Sequence, residues 1–167
     1  MASHFNTRWL AATLLMLSGL CQAGDLSPEP RYAGIVNGTV ANIEQAGGWN
    51  ATRVEQSGTS QQLQQQQNGL RNQAQITQGG AWNQASAQQL GRDNELTITQ
   101  TGQHNQADVL QNGIGNVASV QQAGNWNQAS VTQYGNGNQA SVQQSSYSGS
   151  ASVTQYGNNS TASVRQW

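Results

Sequence analysis

The 167-residue sequence predicts an all-β fold, a β-solenoid of about six 22-residue strand-turn-strand coils in which two parallel sheets pack face to face. Three observations carry this expectation. First, Gln recurs at every eleventh residue, at Gln45, Gln56, Gln67, Gln78, Gln89, Gln100, Gln111, Gln122, Gln133, Gln144, Gln155 and Gln166, with no insertion from Thr39 onward. Second, the kept positions of each unit are the first, third, fifth, seventh and ninth, an alternation that sets them on one side of an extended strand; helical steps of three and four are not seen. Third, outward positions repeat at twice the period, Thr132 with Thr154, Tyr134 with Tyr156, Gln121 with Gln143 and Thr77 with Thr99, so stacked neighbours lie two units apart.

Residues 1–23 read as a secretory signal peptide: Arg8 in a weakly basic start, an apolar run from Trp9 to Leu20, and Cys21-Gln22-Ala23 as a small-residue cleavage site before Gly24. The run is too short to span a bilayer comfortably, and bulky Leu20 before Cys21 argues against lipoprotein processing. Cleavage there removes the single Cys and both Met, leaving an exported chain with no disulfide. Residues 24–38 hold both prolines, Pro28 and Pro30, do not fit the repeat, and read as an extended N-terminal leader.

Residues 39–167 form the repeat region, twelve units opening at Thr39, Asn50, Gln61, Asn72, Asn83, Asn94, Asn105, Asn116, Asn127, Asn138, Gly149 and Ser160, with the consensus Asn-x-Ala-x-Val-x-Gln-x-Gly-x-x. Each unit is expected to give one strand of about six residues and a turn. The fifth position is Val or Ile in ten units, which favours a pleated surface, and the third is mostly Ala, with Leu63 and Leu96 larger. Gly at the ninth position, Gly47, Gly58, Gly69, Gly80, Gly91, Gly102, Gly113, Gly124, Gly135 and Gly157, is expected to supply the dihedrals that turn the chain. Inward Gln, and inward Asn at Asn50, Asn72, Asn83, Asn94, Asn105, Asn116, Asn127 and Asn138, would each cost on the order of 1–3 kcal/mol if buried without a partner. Stacked at the strand spacing, identical amides satisfy one another in ladders along the axis.

Charge is sparse and nearly balanced, and Lys is absent, which removes the usual basic patch for nucleic acid or an anionic membrane. From Val109 through Val164 there is no Asp, Glu, Lys or Arg, so self-association is the natural expectation. The inward pattern persists through Ser160-Thr161-Ala162-Ser163-Val164-Arg165-Gln166-Trp167, without a polar cap, which suits a coil built to be extended.

No enzyme is expected. His104 is the only His beyond the signal peptide, so neither a Ser/His/Asp constellation nor a metal site of three or four ligands can be assembled, and Asp93 and Glu95 read as a solvated turn. Catalytic residues, metal ligands and cofactors are therefore none. Trp82, His104 and Trp126 fall in one turn column, suited to packing at the solenoid edge or to stacking a planar dye or sugar. The unit Gln61 to Arg71 departs most, with Gln65 in the Val slot; either it has drifted or it slows assembly during export.

The repeat, closest at Asn94-Glu95-Leu96-Thr97-Ile98-Thr99-Gln100-Thr101-Gly102-Gln103-His104-Asn105-Gln106-Ala107-Asp108-Val109-Leu110-Gln111, resembles the curlin family over Thr39 to Trp167. That family comprises exported bacterial subunits that polymerise into functional amyloid fibres called curli. The resemblance implies export through a dedicated outer-membrane secretion pore with accessory factors, assembly with itself and a companion curlin subunit at the cell surface, and a role in adhesion and biofilm matrix. The charge-free second half and Gln166-Trp167 are more like the major fibre subunit, and the leader, without a Gly-rich run, more like the minor nucleating one. The alternatives are a monomeric β-solenoid that binds ice or carbohydrate, for which Thr97 and Thr99 make one outward pair, and a Gln/Asn-rich disordered linker, which would not require a fixed period.

Overall fold

A computed structural model describes residues 38–167 and one further two-residue strand, β1 (Ala11–Ala12). Apart from β1 and Gly38, the predicted signal peptide and leader lie outside the described residues. The repeat forms twelve strands: β2 (Val40–Gly48), β3 (Ala51–Thr59), β4 (Gln62–Leu70), β5 (Gln73–Ala81), β6 (Gln84–Arg92), β7 (Glu95–Gln103), β8 (Gln106–Ile114), β9 (Val117–Asn125), β10 (Gln128–Asn136), β11 (Gln139–Gln144), β12 (Ser150–Tyr156) and β13 (Thr161–Gln166). Even-numbered strands make one six-stranded sheet, and odd-numbered strands make the other, in the order β1-β3-β5-β7-β9-β11-β13. Apart from β1, which pairs antiparallel with β3, every ladder is parallel and joins equivalent positions 22 residues apart, for example Gln78 with Gln100 and Gln100 with Gln122. The molecule is thus a β-solenoid of six coils, as the outward 22-residue period requires.

Between the sheets the core is a stack of small and branched side chains: Ala74, Leu96, Ala118 and Ala140 in one column, and Ile76, Ile98, Val120 and Val142 in the next, all buried. Among the described residues, no aromatic takes part in it. Ala opposite Val or Ile keeps the sheets close, and each buried branched side chain contributes roughly 1.5–3 kcal/mol by leaving water.

Strands β2 to β10 are nine residues long, longer than the six expected. The ladder does not stop at the ninth-position Gly but runs through it and one residue beyond, so only positions eleven and one lie outside the strands. These Gly have φ between +101° and +139°, a region closed to other residues. A Cβ on Gly102 would also stand 1.9 Å from the carbonyl oxygen of Gly124 in the next coil. Gly at this position therefore permits a bend within the strand and a close backbone stack, while the corner itself is turned two residues later. Ser146 marks the exception: it occupies the Gly slot, does not adopt positive φ, and β11 ends at Gln144.

Position eleven is left-handed in all eleven units that contain it, and nine of these residues are not Gly: Trp49, Ser60, Arg71, Trp82, Asp93, His104, Trp126, Ser148 and Asn159, with φ from 54° to 63°. An L-residue there costs about 1–2 kcal/mol. Backbone bonding between coils offsets the strain, as when Trp82 N donates to the Thr59 carbonyl at 3.0 Å and His104 N to the Ala81 carbonyl at 3.1 Å.

Candidate functional site: amide ladders and open sheet edges

The seventh-position Gln lie in two columns, one per sheet. In one, Gln45 Nε2 donates to Gln67 Oε1 at 2.5 Å, Gln67 to Gln89 at 2.7 Å, Gln89 to Gln111 at 2.9 Å, Gln111 to Gln133 at 3.0 Å and Gln133 to Gln155 at 2.9 Å. In the other, Gln56 donates to Gln78 at 2.7 Å, Gln78 to Gln100 and Gln100 to Gln122 at 2.8 Å, Gln122 to Gln144 at 2.9 Å and Gln144 to Gln166 at 2.7 Å. From Gln67 to Gln144 each rung is fully buried. Each also reaches across the sandwich: Gln100 Nε2 donates to the Gln84 carbonyl of β6 at 3.0 Å, and Gln111 Nε2 to the Glu95 carbonyl of β7 at 2.9 Å. A Gln rung therefore ties neighbouring coils and opposite sheets at once, with both amide hydrogens used.

The first-position Asn run in the opposite sense. Asn94 Nδ2 donates back to Asn72 Oδ1 at 3.0 Å, Asn105 to Asn83 at 3.1 Å, Asn116 to Asn94 and Asn127 to Asn105 at 3.2 Å. The same amides donate to ninth-position carbonyls, Asn94 to Gly113 and Asn116 to Gly135, so they close the corner as well as stack. This ladder begins at Asn50, whose Oδ1 accepts from Asn72, and is interrupted where the residue changes. Gln61, one methylene longer, is buried with Oε1 unpartnered. Gly149 and Ser160 replace Asn and offer only their backbone N–H, to Asn127 and Asn138.

One compensation was not legible in the repeat. Gln65 in the Val slot is buried, and its Nε2 donates at 2.9 Å to Oγ1 of Thr52, which itself stands in an Ala slot. Thr52 also accepts from Gln45 at 2.9 Å and donates to Gln67 Oε1 at 3.0 Å. Two apparent departures from the consensus are thus partners across the sandwich, although Gln65 Oε1 remains unpaired. A search for paired polar exceptions on facing strands would have found them.

At the corners, Trp82, His104 and Trp126 stack with interplanar angles of 7° and 5°, and ring centroids 6.1 and 4.0 Å apart. Outside the sheet, Tyr134 and Tyr156 stack at 5.3 Å. In the opposite corner column Arg71 grips Asp93 with two hydrogen bonds, 2.6 and 2.9 Å, which hold the Asp93 carboxyl below the ordinary carboxylate range. Among the described residues, no group of three or more His, Cys, Asp or Glu could hold a metal ion, and no helix is long and apolar enough to cross a membrane.

Four overlapping stretches, residues 69–102, 91–124, 102–135 and 116–145, match the curlin associated repeat. The chain belongs to the curlin family. No curated protein matches it. Curlin repeats and the β-solenoid are structural rather than catalytic, and in this curlin the positions repeated from unit to unit close and stack the coils.

At the two ends of the curlin array the burial gives out. Ile43, Gln45 and Gln56 at one end, and Ala162, Val164 and Gln166 at the other, are only half-buried. Beyond the edges of β2, β12 and β13 no further strand is found among the described residues, and β3 is met only by β1, at Val54 and Glu55.

Proposed function

We propose that this curlin is an exported structural subunit that assembles, coil on coil, into an extracellular amyloid fibre of the curli type, serving adhesion and biofilm matrix. The observation that carries the reading is that both Gln columns run the full length of the solenoid to open sheet edges, where three of the four terminal rungs, Gln45, Gln56 and Gln166, are only half-buried. An exposed strand edge is a template for another chain, and a second solenoid placed there continues both sheets and both ladders at the same spacing. The absence of charge from Val109 through Val164 leaves little to hold copies apart. Strand β1 covers two positions of the β3 edge and falls in the segment predicted to be removed at export, so cleavage bares an edge that the precursor shields.

The outward face gives little support to an ice-binding alternative. In register, Thr97 and Thr99 are flanked by Gln75 and Thr77 on one side and by Ser119 and Gln121 on the other, not by a flat Thr array.

The test is to hold the chain without its first 23 residues at neutral pH and follow thioflavin fluorescence and fibre diffraction with time. Fibres with reflections near ~4.8 Å and ~10 Å are expected. A chain that stays a soluble, folded monomer would refute the assignment. Substoichiometric seeding of a companion curlin then distinguishes a nucleator from the body of the fibre.

A further inference from the structure

Resting on the fibre reading, in which the β12–β13 face of one copy stacks on the β2–β3 face of the next, we propose that the junction is keyed by Arg165 meeting Glu55 of the second copy. The parallel ladders place Glu55, Thr77, Thr99, Gln121, Gln143 and Arg165 in a single outward column, one residue per coil. That column begins with an acid, ends with a base and is uncharged between them. Continuing the 22-residue register past β13 sets the second copy's Glu55 on the rung after Arg165, one strand spacing away.

The charges are placed to use that contact. Arg165 is exposed and makes no ion pair among the described residues. Glu55 is held by Arg53 of its own strand through Oε1 alone, at 3.0 Å from Nε and 2.5 Å from Nη2, which leaves Oε2 to meet a guanidinium from outside. In the same register Arg53 faces Ser163 and Glu44 faces Thr154, so no like charges stand directly opposite one another, and Arg165 shares the Glu55 carboxylate with the second copy's Arg53, one on each oxygen.

The amide ladders agree on direction. In both seventh-position columns each Gln Nε2 donates to the next Gln at higher residue number, so Gln155 and Gln166 present donors where Oε1 of the second copy's Gln45 and Gln56 can accept. Two β2–β3 faces brought together would instead set strands antiparallel and break the register on which every internal rung depends. The first-position ladder, by contrast, does not cross the junction intact, because Gly149 and Ser160 carry no amide. The ion pair and the two Gln rungs are therefore what specify this contact over a slipped one.

The test compares seeded elongation of the exported chain, residues 24–167, as wild type, R165E, E55R and the double variant R165E/E55R, each on its own seeds. At low salt each single reversal sets like charges across every junction and is expected to slow elongation by about fivefold, as for an exposed charge pair turned repulsive. The double variant restores opposite charges and is expected to return to within about twofold of wild type, with all differences fading near ~1 M salt. Singles that elongate as fast as wild type, or a double variant no faster than the slower single, overturn the head-to-tail key while leaving the fibre reading standing. A wild-type chain that forms no fibres is the separate result that removes the fibre reading itself.

Discussion

Replacing Gln100 by Leu isolates what one rung of the ladder contributes. Gln100 is fully buried, accepts from Gln78 at 2.8 Å, and donates to Gln122 at 2.8 Å and to the Gln84 carbonyl at 3.0 Å. Leu fills a similar volume, so the cavity term is small, but one amide hydrogen of Gln78 and Oε1 of Gln122 lose their partners in a dry interior, and the Gln84 carbonyl loses its side-chain donor. Two such orphans cost about 2–6 kcal/mol, of which apolar burial of Leu offsets about 1.5–3. The net expectation, from the middle of the two ranges, is a loss of about 2 kcal/mol. The sharper expectation concerns the pair. In Gln78→Leu/Gln100→Leu the orphaned side-chain amides are again only two, on Gln56 and Gln122, Gln56 is half-buried and reachable by water, and the donors lost by the Gln62 and Gln84 carbonyls add without coupling. The double variant should therefore lose at least about 2 kcal/mol less than the sum of the singles. Guanidinium titrations of the folded chain, followed by far-UV circular dichroism, measure all three. Additivity within about 0.5 kcal/mol would mean that the Gln columns are not coupled rungs.

Three further outcomes follow from particular residues. Gln65→Val removes a buried unpaired oxygen and sets a branched side chain beside Ile43 in the core, while Thr52 keeps its bonds to Gln45 and Gln67. Stability should rise by about 1–3 kcal/mol and the lag before fibre growth should shorten; a lower denaturation midpoint would contradict this. Ser146→Gly with Gly149→Asn should extend β11 and carry the Asn ladder one rung further, raising the thermal midpoint. Gly149→Asn alone should help less, because its Cβ would stand 2.6 Å from Ser146 Oγ. Asp93 is held low first by its hydrogen bond from Arg71 and then by that charge, so its contribution is present above the ordinary carboxylate range and lost as pH falls through the depressed folded value. Both partners are largely exposed, so the effect is small: thermal midpoints of wild type and Asp93→Asn should differ slightly at neutral pH and converge in acid and near ~1 M salt.

The fold was open to reading from sequence because two periods state it. A side-chain period of two fixes which residues face inward, and an outward period of 22 fixes which units stack; neither needs knowledge of distant contacts. The corners were less legible. Left-handed backbone at position eleven is suggested by Gly115, Gly137, Asp93 and Asn159, residues that tolerate it, but is masked by Trp49, Trp82, Trp126 and Arg71, which do not favour it. There the strain is overruled by bonds between coils, a tertiary effect that local propensity cannot contain. Strand length was underestimated for a related reason: the ninth-position Gly looks like a stop locally, yet it is the stacking of Gly102 on Gly124 that demands it, inside the ladder.

By itself, then, the sequence determines the all-β class, the six coils, the inward and outward faces, and membership of a repeat whose spacing tolerates no slip, because alternation and register are properties of the chain as a string. Only the tertiary structure decides that Gln donates forward and Asn backward along their columns, and that Thr52 answers Gln65 from the facing sheet. Hydrogen-bond direction and cross-sheet partnership depend on where two residues meet in space, and that meeting is set only when all the coils have closed on one another.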